Sequence, residues 1–128
     1  MPPTAWAIAT SGPRPVATAR IQATGLPFPP VFVNGDDVRR GKPHPDPYLL
    51  AAERRGVAPD RCVVIEDAVA GIDAALAAGA QVIAVPTSHP PAELTHATAI
   101  LPRLADLRVT IRNDADSLLL LEGPHLFR

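Results

Sequence analysis

The sequence has 128 residues, 47% of them hydrophobic and 20% charged, with 12 Lys and Arg against 13 Asp and Glu. That length suits one domain with a core of its own, and a net charge of −1 offers no basic field for a nucleic acid backbone. The apolar content excludes the disordered class, the single cysteine, Cys62, excludes an internal disulfide framework, and no apolar run approaches the ~20 residues of a membrane span. Met1-Pro2-Pro3-Thr4-Ala5-Trp6 shows no secretory signal pattern, so the expectation is a soluble, cytoplasmic protein with one domain over residues 1–128.

Along the chain, short apolar runs alternate with helical patterns. Ala5-Trp6-Ala7-Ile8-Ala9 ends in Thr10-Ser11-Gly12. A helix is predicted from about Pro15 to Thr24, stopped by Gly25. Val31-Phe32-Val33 is a second strand, closed by Asn34-Gly35. Asp46 is placed to cap a helix with Pro47 at its first position, running to Gly56. Cys62-Val63-Val64-Ile65 is continuous rather than alternating and reads as a strand buried on both faces. Val69, Ile72 and Leu76 give the next helix its apolar spacing, from about Val69 to Ala78, before Gly79. Val82-Ile83-Ala84-Val85 is the fourth strand. The alternation predicts an α/β fold, a parallel sheet covered by helices. Beyond Pro86, a short helix at Pro90–Leu94 and an edge strand at Ala99–Leu101 are expected. Arg108–Ile111 and Leu118–Leu121 read as a hairpin or a tail helix.

In an open α/β sheet, ligands bind beyond the carboxyl ends of the strands. Thr10-Ser11 follows the first strand, Lys42 lies in the loop after the second, and Glu66-Asp67 follows the third. A hydroxyl, an ammonium and two adjacent carboxylates on one rim suit a phosphate with a divalent cation. Mg²⁺ takes carboxylate oxygens and keeps waters and a substrate phosphate as further ligands. Lys42 is a compact charge for phosphate oxygens, and Thr10 with the backbone N–H groups after it can donate to them. Each group also has a plainer role: a turn residue for Thr10 and Ser11, a surface lysine for Lys42, a helix cap for Glu66-Asp67.

Other candidates fail on spacing. Gly41-Lys42 lacks the first glycine and the Ser or Thr of a phosphate-binding P-loop, with Pro43 in that place. His44, His89, His96 and His125 lack metal-ligand spacing, offer no acidic or cysteine partner in register, and are expected to be exposed. Cys62 is expected to be an inert core residue. No Gly-x-Ser-x-Gly nucleophile elbow occurs.

Three segments resemble the later motifs of the haloacid dehalogenase (HAD) superfamily. They are Trp6-Ala7-Ile8-Ala9-Thr10-Ser11-Gly12, Gly41-Lys42-Pro43-His44-Pro45-Asp46-Pro47-Tyr48-Leu49, and Val64-Ile65-Glu66-Asp67-Ala68-Val69-Ala70-Gly71-Ile72 with Ala74-Ala75 and Ala78-Gly79. By pattern they are most similar to sugar-phosphate and glycerol-phosphate phosphatases and β-phosphoglucomutases. The resemblance implies that Thr10 binds the transferring phosphoryl group. It makes Lys42 the lysine that offsets charge on that group and on the nucleophile, and Glu66 and Asp67 the acidic pair that helps hold Mg²⁺, directly or through water. It also implies a Rossmann-like parallel sheet.

Family members open with Asp-x-Asp-Gly-Thr on a central strand, the first Asp being the nucleophile and the second the general acid/base. These 128 residues contain no such sequence. Asp36-Asp37 stands in the wrong place in the motif order. Asp114-Ala115-Asp116 has the spacing but is followed by Ser117-Leu118, after the other motifs. The cap domain is absent as well. The resemblance therefore implies an N-terminally truncated HAD-like core lacking the first strand and cap. Two inner strand edges would be left open, predicting poor stability or an unusual pairing. The expected lineage is a Mg²⁺-dependent phosphatase acting on small phosphate monoesters, such as sugar or polyol phosphates, with this chain inactive alone. A non-catalytic remnant or phosphate- and Mg²⁺-binding protein, a phosphosugar mutase fragment, and a half-domain completed by another chain carrying the first motif stand beside it.

Overall fold

The computed structural model describes residues 5–111 and 119–123. Strand β1 (Ile8–Ala9) lies parallel to β2 (Phe32–Val33), with helix α1 (Arg14–Thr24) in the crossover. Helix α2 (Asp46–Arg55) leads to β3 (Val63–Glu66), and α3 (Val69–Ala77) to β4 (Gln81–Ala84), which runs parallel to β3 and to β5 (Ala99–Ile100). The β-α-β-α-β-α-β order expected from the apolar runs is the order observed. Helices α1 and α2 stop where Gly25 and Gly56 turn to φ 71° and 68°, a left-handed conformation that costs glycine nothing. The tail segment is a hairpin, not a helix: β6 (Arg108–Ile111) pairs antiparallel with β7 (Leu119–Glu122). Leu118, Asp114-Ala115-Asp116 and His125 lie outside the described residues. No helix among those described is long and apolar enough to cross a membrane.

Two expectations require correction. Pro45, not Asp46, holds the cap position of α2, and Asp46 is the helix's first residue. Its carboxylate is instead gripped by Arg40, whose Nε and Nη2 donate to it at 3.3 and 3.1 Å. A two-pronged charged contact outcompetes a single backbone N–H. The second correction concerns β3, which is not buried on both faces. Val63 and Ile65 are each 41% exposed. Tyr48 and α3 cover only the side that carries Val64, where Ile72, Ala75, Val82 and Leu94 form the main cluster.

The sheet is in two pieces. Among the described residues, β1-β2 and β3-β4-β5 share no strand pair. Ile8 and Thr10 donate to Val31 and Val33 of the β2 segment, so the peptide groups of Ala9 turn to the opposite edge. Likewise Gln81 and Val85 donate to Cys62 and Glu66, turning the peptide groups of Val63 and Ile65 away from β4. Helix α2 spans the division, touching β1, β2 and α3. Its Ala51 packs on Val31 and Val33, while Tyr48 packs on the other cluster.

With two open edges and a core rich in alanine, the chain is expected to melt below about 45 °C, under the usual range for small domains. A cooperative, concentration-independent melt above ~65 °C would show that the packing closes without a further strand. Replacing Val63 and Ile65 together by Thr is expected to change unfolding free energy in urea by less than about 1 kcal/mol, as at exposed sites. A loss of several kcal/mol would mean that this face is covered.

Candidate functional site

The carboxyl ends of β1 and β3 face one rim, and Lys42 joins them. Its Nζ lies 3.3 Å from the carbonyl of Ala9, the last residue of β1, and 3.3 Å from Oε2 of Glu66, the last residue of β3. The pair is well enclosed, with side-chain exposures of 13% and 9%. The Lys42–Pro43 peptide bond is cis. Thr10 follows Ala9 directly. Its N–H donates to Val33 at 2.9 Å, and its Oγ1 accepts from Gly12 N at 3.4 Å, leaving the hydroxyl proton for another acceptor. The loop is braced from β2, since Gly35 N donates to Gly12 O at 2.8 Å and a side chain at Gly35 would overlap the Ser11 carbonyl. Beyond it, Asp36 accepts from the N–H of Arg14 at the start of α1.

Lys42, Glu66, Asp67 and the end of β1 beside Thr10 are thus brought together. Ser11 stands apart: it is exposed, with no side-chain hydrogen bond to Lys42, Glu66 or Asp67 among the described residues. Neither acid serves as a helix cap. Ala68 is at the cap position of α3, and no side chain bonds there.

Two residues missed in the sequence shape the Glu66 carboxylate. Tyr48 donates its hydroxyl to Glu66 Oε2 at 3.1 Å, and its ring lies 5.0 Å from Lys42 Nζ. Burial, followed by the charge of Glu66 and the hydrogen bond to it, pushes the Tyr48 phenol well above its ordinary value. On α3, a Cβ at Gly71 would overlap the same carboxylate. Glycine inside a helix costs about 1 kcal/mol relative to alanine; here it supplies the space the acid occupies. The signal for Gly71 was a glycine within a helical pattern. Nothing local marked the Tyr48 hydroxyl, because its partner is 18 residues away.

Asp67 is held separately. Ser88, in the loop after β4, donates to Asp67 Oδ2, and this bond holds the carboxyl below the usual carboxylate range, with smaller help from Glu66 and Lys42. Ser88 is a further residue the sequence did not flag. Glu66 Oε1 accepts the Asp67 N–H at 3.3 Å.

Mg²⁺, which the resemblance implies, fits this donor set. Two adjacent carboxylates offer hard oxygens, and Mg²⁺ takes one or two such groups while water and substrate phosphate complete its shell. Among the described residues no three His, Cys, Asp or Glu side chains converge into a closed metal cage.

The remaining candidates fall elsewhere. Contrary to expectation, two histidines have acidic partners: His89 lies 2.9 Å from Glu93, four residues on, and His96 lies 3.0 Å from Asp73. Both pairs are on the surface, the second joining the turn at His96 to helix α3. Cys62 is half-buried just before β3 rather than in the core, and burial, then Asp60, raises its thiol. Asp36 and Asp37 are engaged by the Arg14 N–H and guanidinium and by the Asn34 N–H. A cavity of about 460 Å³ lined by Arg39, Arg40 and Asp46 lies outside the Lys42–Glu66 contact.

Gly71→Ala is expected to lower the unfolding free energy by about 1–3 kcal/mol, reversing the usual helix gain, because Glu66 must swing off both Lys42 and Tyr48. A rise in Tm would show that the carboxylate moves aside freely. The 295-nm absorbance of Tyr48, the only tyrosine, is expected to stay flat through pH 10 in the folded chain. A raised phenol favours the fold below its unfolded value and loses that contribution only above it, so the rise should accompany alkaline unfolding. A midpoint near 10 in folded protein would place the hydroxyl in water.

Residues 4–79 match the family profile of haloacid dehalogenase-like hydrolases. Hexitol phosphatase A of Escherichia coli (strain K12) is 49% identical over 111 residues, covering 87% of this chain and 51% of that protein. Glycerol-1-phosphate phosphohydrolase 2 of Saccharomyces cerevisiae is 39% identical over 95 residues, 69% of this chain and 38% of its own length. Among solved structures, CbbY from Rhodobacter sphaeroides in complex with phosphate superposes with a TM-score of 0.69 at 36% identity, over 78% of this chain and 47% of that one. The chain thus spans about half the length, or less, of the relatives it matches. Its α/β architecture of parallel strands and flanking helices is that of these relatives, and with a profile match over more than half its length the chain belongs to the haloacid dehalogenase-like hydrolases.

Proposed function

We propose that these 128 residues form the phosphate- and cation-binding side of a Mg²⁺-dependent phosphatase site for small phosphate monoesters, sugar or polyol phosphates, in the cytoplasm. The observation that carries this reading is the enclosed Lys42 ammonium, set between the Ala9 carbonyl and Glu66 at the joint rim of two sheets. Lys42 offers its remaining N–H to a phosphoryl oxygen, and Thr10 offers its hydroxyl proton. Glu66 and Asp67 would hold Mg²⁺, which, when bound, neutralises charge on the phosphoryl oxygens. A polyol phosphate is favoured by the 49% identity to hexitol phosphatase A. Transfer between two sugar hydroxyls, as in a mutase, would use the same rim.

Hydrolysis through an aspartyl-phosphate needs a carboxylate to attack phosphorus, an acid to protonate the departing alcohol, and water to cleave the acyl phosphate. The Asp-x-Asp-Gly-Thr that supplies the first two in the family is not among these residues. Turnover therefore requires that motif from a further segment or a complementing chain, and the facing open edges of β1 and β3 suit a strand carrying it.

Calorimetric titration of the 128-residue chain with inorganic phosphate in Mg²⁺ is expected to show binding that Lys42→Ala weakens at least about tenfold, or 1.4 kcal/mol. p-Nitrophenyl phosphate turnover is expected to stay at the buffer rate. Failure to bind phosphate would sink the reading, and turnover abolished by Lys42→Ala would show that these residues suffice for catalysis.

A further inference from the structure

The chain has one tyrosine and, among 12 basic residues, one lysine; the two meet at the rim. Lys42 Nζ contacts Glu66 Oε2 and the Ala9 carbonyl, each at 3.3 Å, so two of its three N–H donors are in use. The Tyr48 ring lies 5.0 Å from Nζ, within the range in which a π face attracts a cation. The Tyr48 hydroxyl reaches the oxygen that Lys42 also holds, at 3.1 Å. Without these contacts a lysine has four rotatable bonds and a glutamate three, and neither would keep one placement.

We propose that Tyr48 is a positioning residue: its hydroxyl fixes Glu66 Oε2 and its ring backs Lys42 Nζ, so that ammonium and carboxylate hold one relative placement before any ligand arrives. The proposal rests on the reading of Lys42, Glu66 and Asp67 as the phosphate- and cation-binding groups. Packing alone does not explain a tyrosine here. The ring fills the space beside the Ile72 cluster, and phenylalanine would fill it equally. The hydroxyl is the part that reaches Glu66. It commits Oε2 to two donors, whereas Oε1 accepts only the Asp67 N–H and keeps a lone pair for a cation. Gly71 completes the arrangement from α3 by leaving room for the carboxylate in that one position.

Lysine labelled with ¹⁵N at Nζ reports Lys42 alone. In the full chain at low temperature, the wild type is expected to show one ammonium signal protected from water exchange. Tyr48→Phe, which keeps the ring, is expected to lose it or exchange several-fold faster. Mn²⁺ with inorganic phosphate, followed by its paramagnetic resonance signal, is expected to bind Tyr48→Phe at least about tenfold more weakly, as when an outer partner of a metal ligand is removed. Leu101→Ala, which opens a separate cluster, is expected to match the wild type in both readouts at a temperature where all chains are folded. Asp67→Asn separates the two claims: unchanged Mn²⁺ binding there defeats the cation reading, and the Nζ signal alone then decides on Tyr48. If Tyr48→Phe does not fold, 3-fluorotyrosine at position 48 is expected to shift its ¹⁹F signal when Mg²⁺ and phosphate are added, and an unmoved signal counts against the proposal. Wild-type Nζ exchange in Tyr48→Phe, or losses shared equally by Leu101→Ala, overturns it.

Discussion

The contact between Lys42 and Glu66 is the constraint on which the site depends. It links the loop after β2 to the end of β3, across a division that no strand pairing among the described residues bridges. An ion pair this enclosed is stabilising only when each partner's other hydrogen-bonding capacity is met, because removing either one leaves a buried charge at a cost of about 3–5 kcal/mol. The structure goes most of the way to that condition, with the Ala9 carbonyl on the lysine and the Tyr48 hydroxyl on the acid, and it leaves one Lys42 N–H for a further acceptor. A guanidinium would not serve as well. Its donors are fixed in a broad plane suited to bidentate acceptors, whereas a compact ammonium can divide three rotatable donors among unlike partners. The chain uses arginine for its other basic positions and lysine only here.

Helix α2 makes the contact geometrically achievable. It carries Tyr48 in its first turn, packs Ala51 against the β1-β2 side, and buries Ala52 as well. Alanine lets the backbone approach closely, so one helix touches both parts of the divided sheet. Helix α3 uses the same device, with Gly71, Ala74 and Ala75 turned inward. Small residues bury little apolar area, roughly 25 cal/mol for each Å² removed from water. Close approach at the rim is thus obtained with a light core, and stability leans on the few large buried residues, Ile72, Leu94 and Leu101.

Much of the architecture was legible in the chain because its signals are local. Apolar runs of three or four residues marked the strands, and Gly25, Gly56 and Gly79 marked helix ends. What failed was set by partners distant in sequence. The run Cys62–Ile65 looked buried on both faces, yet whether a strand face is covered depends on what lies across it, and only the Val64 side meets α3 and Tyr48. Asp46 has the chemistry of a cap, but Arg40 competes for it. Thr10, Lys42, Glu66 and Asp67 were legible as strand-end groups. Tyr48 stood out only as a member of the Gly41–Leu49 segment and carried no role there, since its ring obeys the helical period while its hydroxyl obeys a residue on another element.

The open edge of β1 bears on how such a rim could be completed. The Ala9 carbonyl points away from β2, where an added strand would pair, and it already accepts from Lys42. These roles need not conflict, because a carbonyl oxygen has two lone pairs and can accept a ladder N–H and an ammonium together. A strand entering between β1 and β3 would then find Lys42 at its carboxyl end, where HAD-like hydrolases need a cation beside the attacking carboxylate. It would also cover peptide groups of Val63 and Ile65 that face no strand among the described residues. On the proposed reading of Lys42, the same pairing that satisfies the backbone would also bring a nucleophile beside the ammonium, so that fold completion and site completion would be one step.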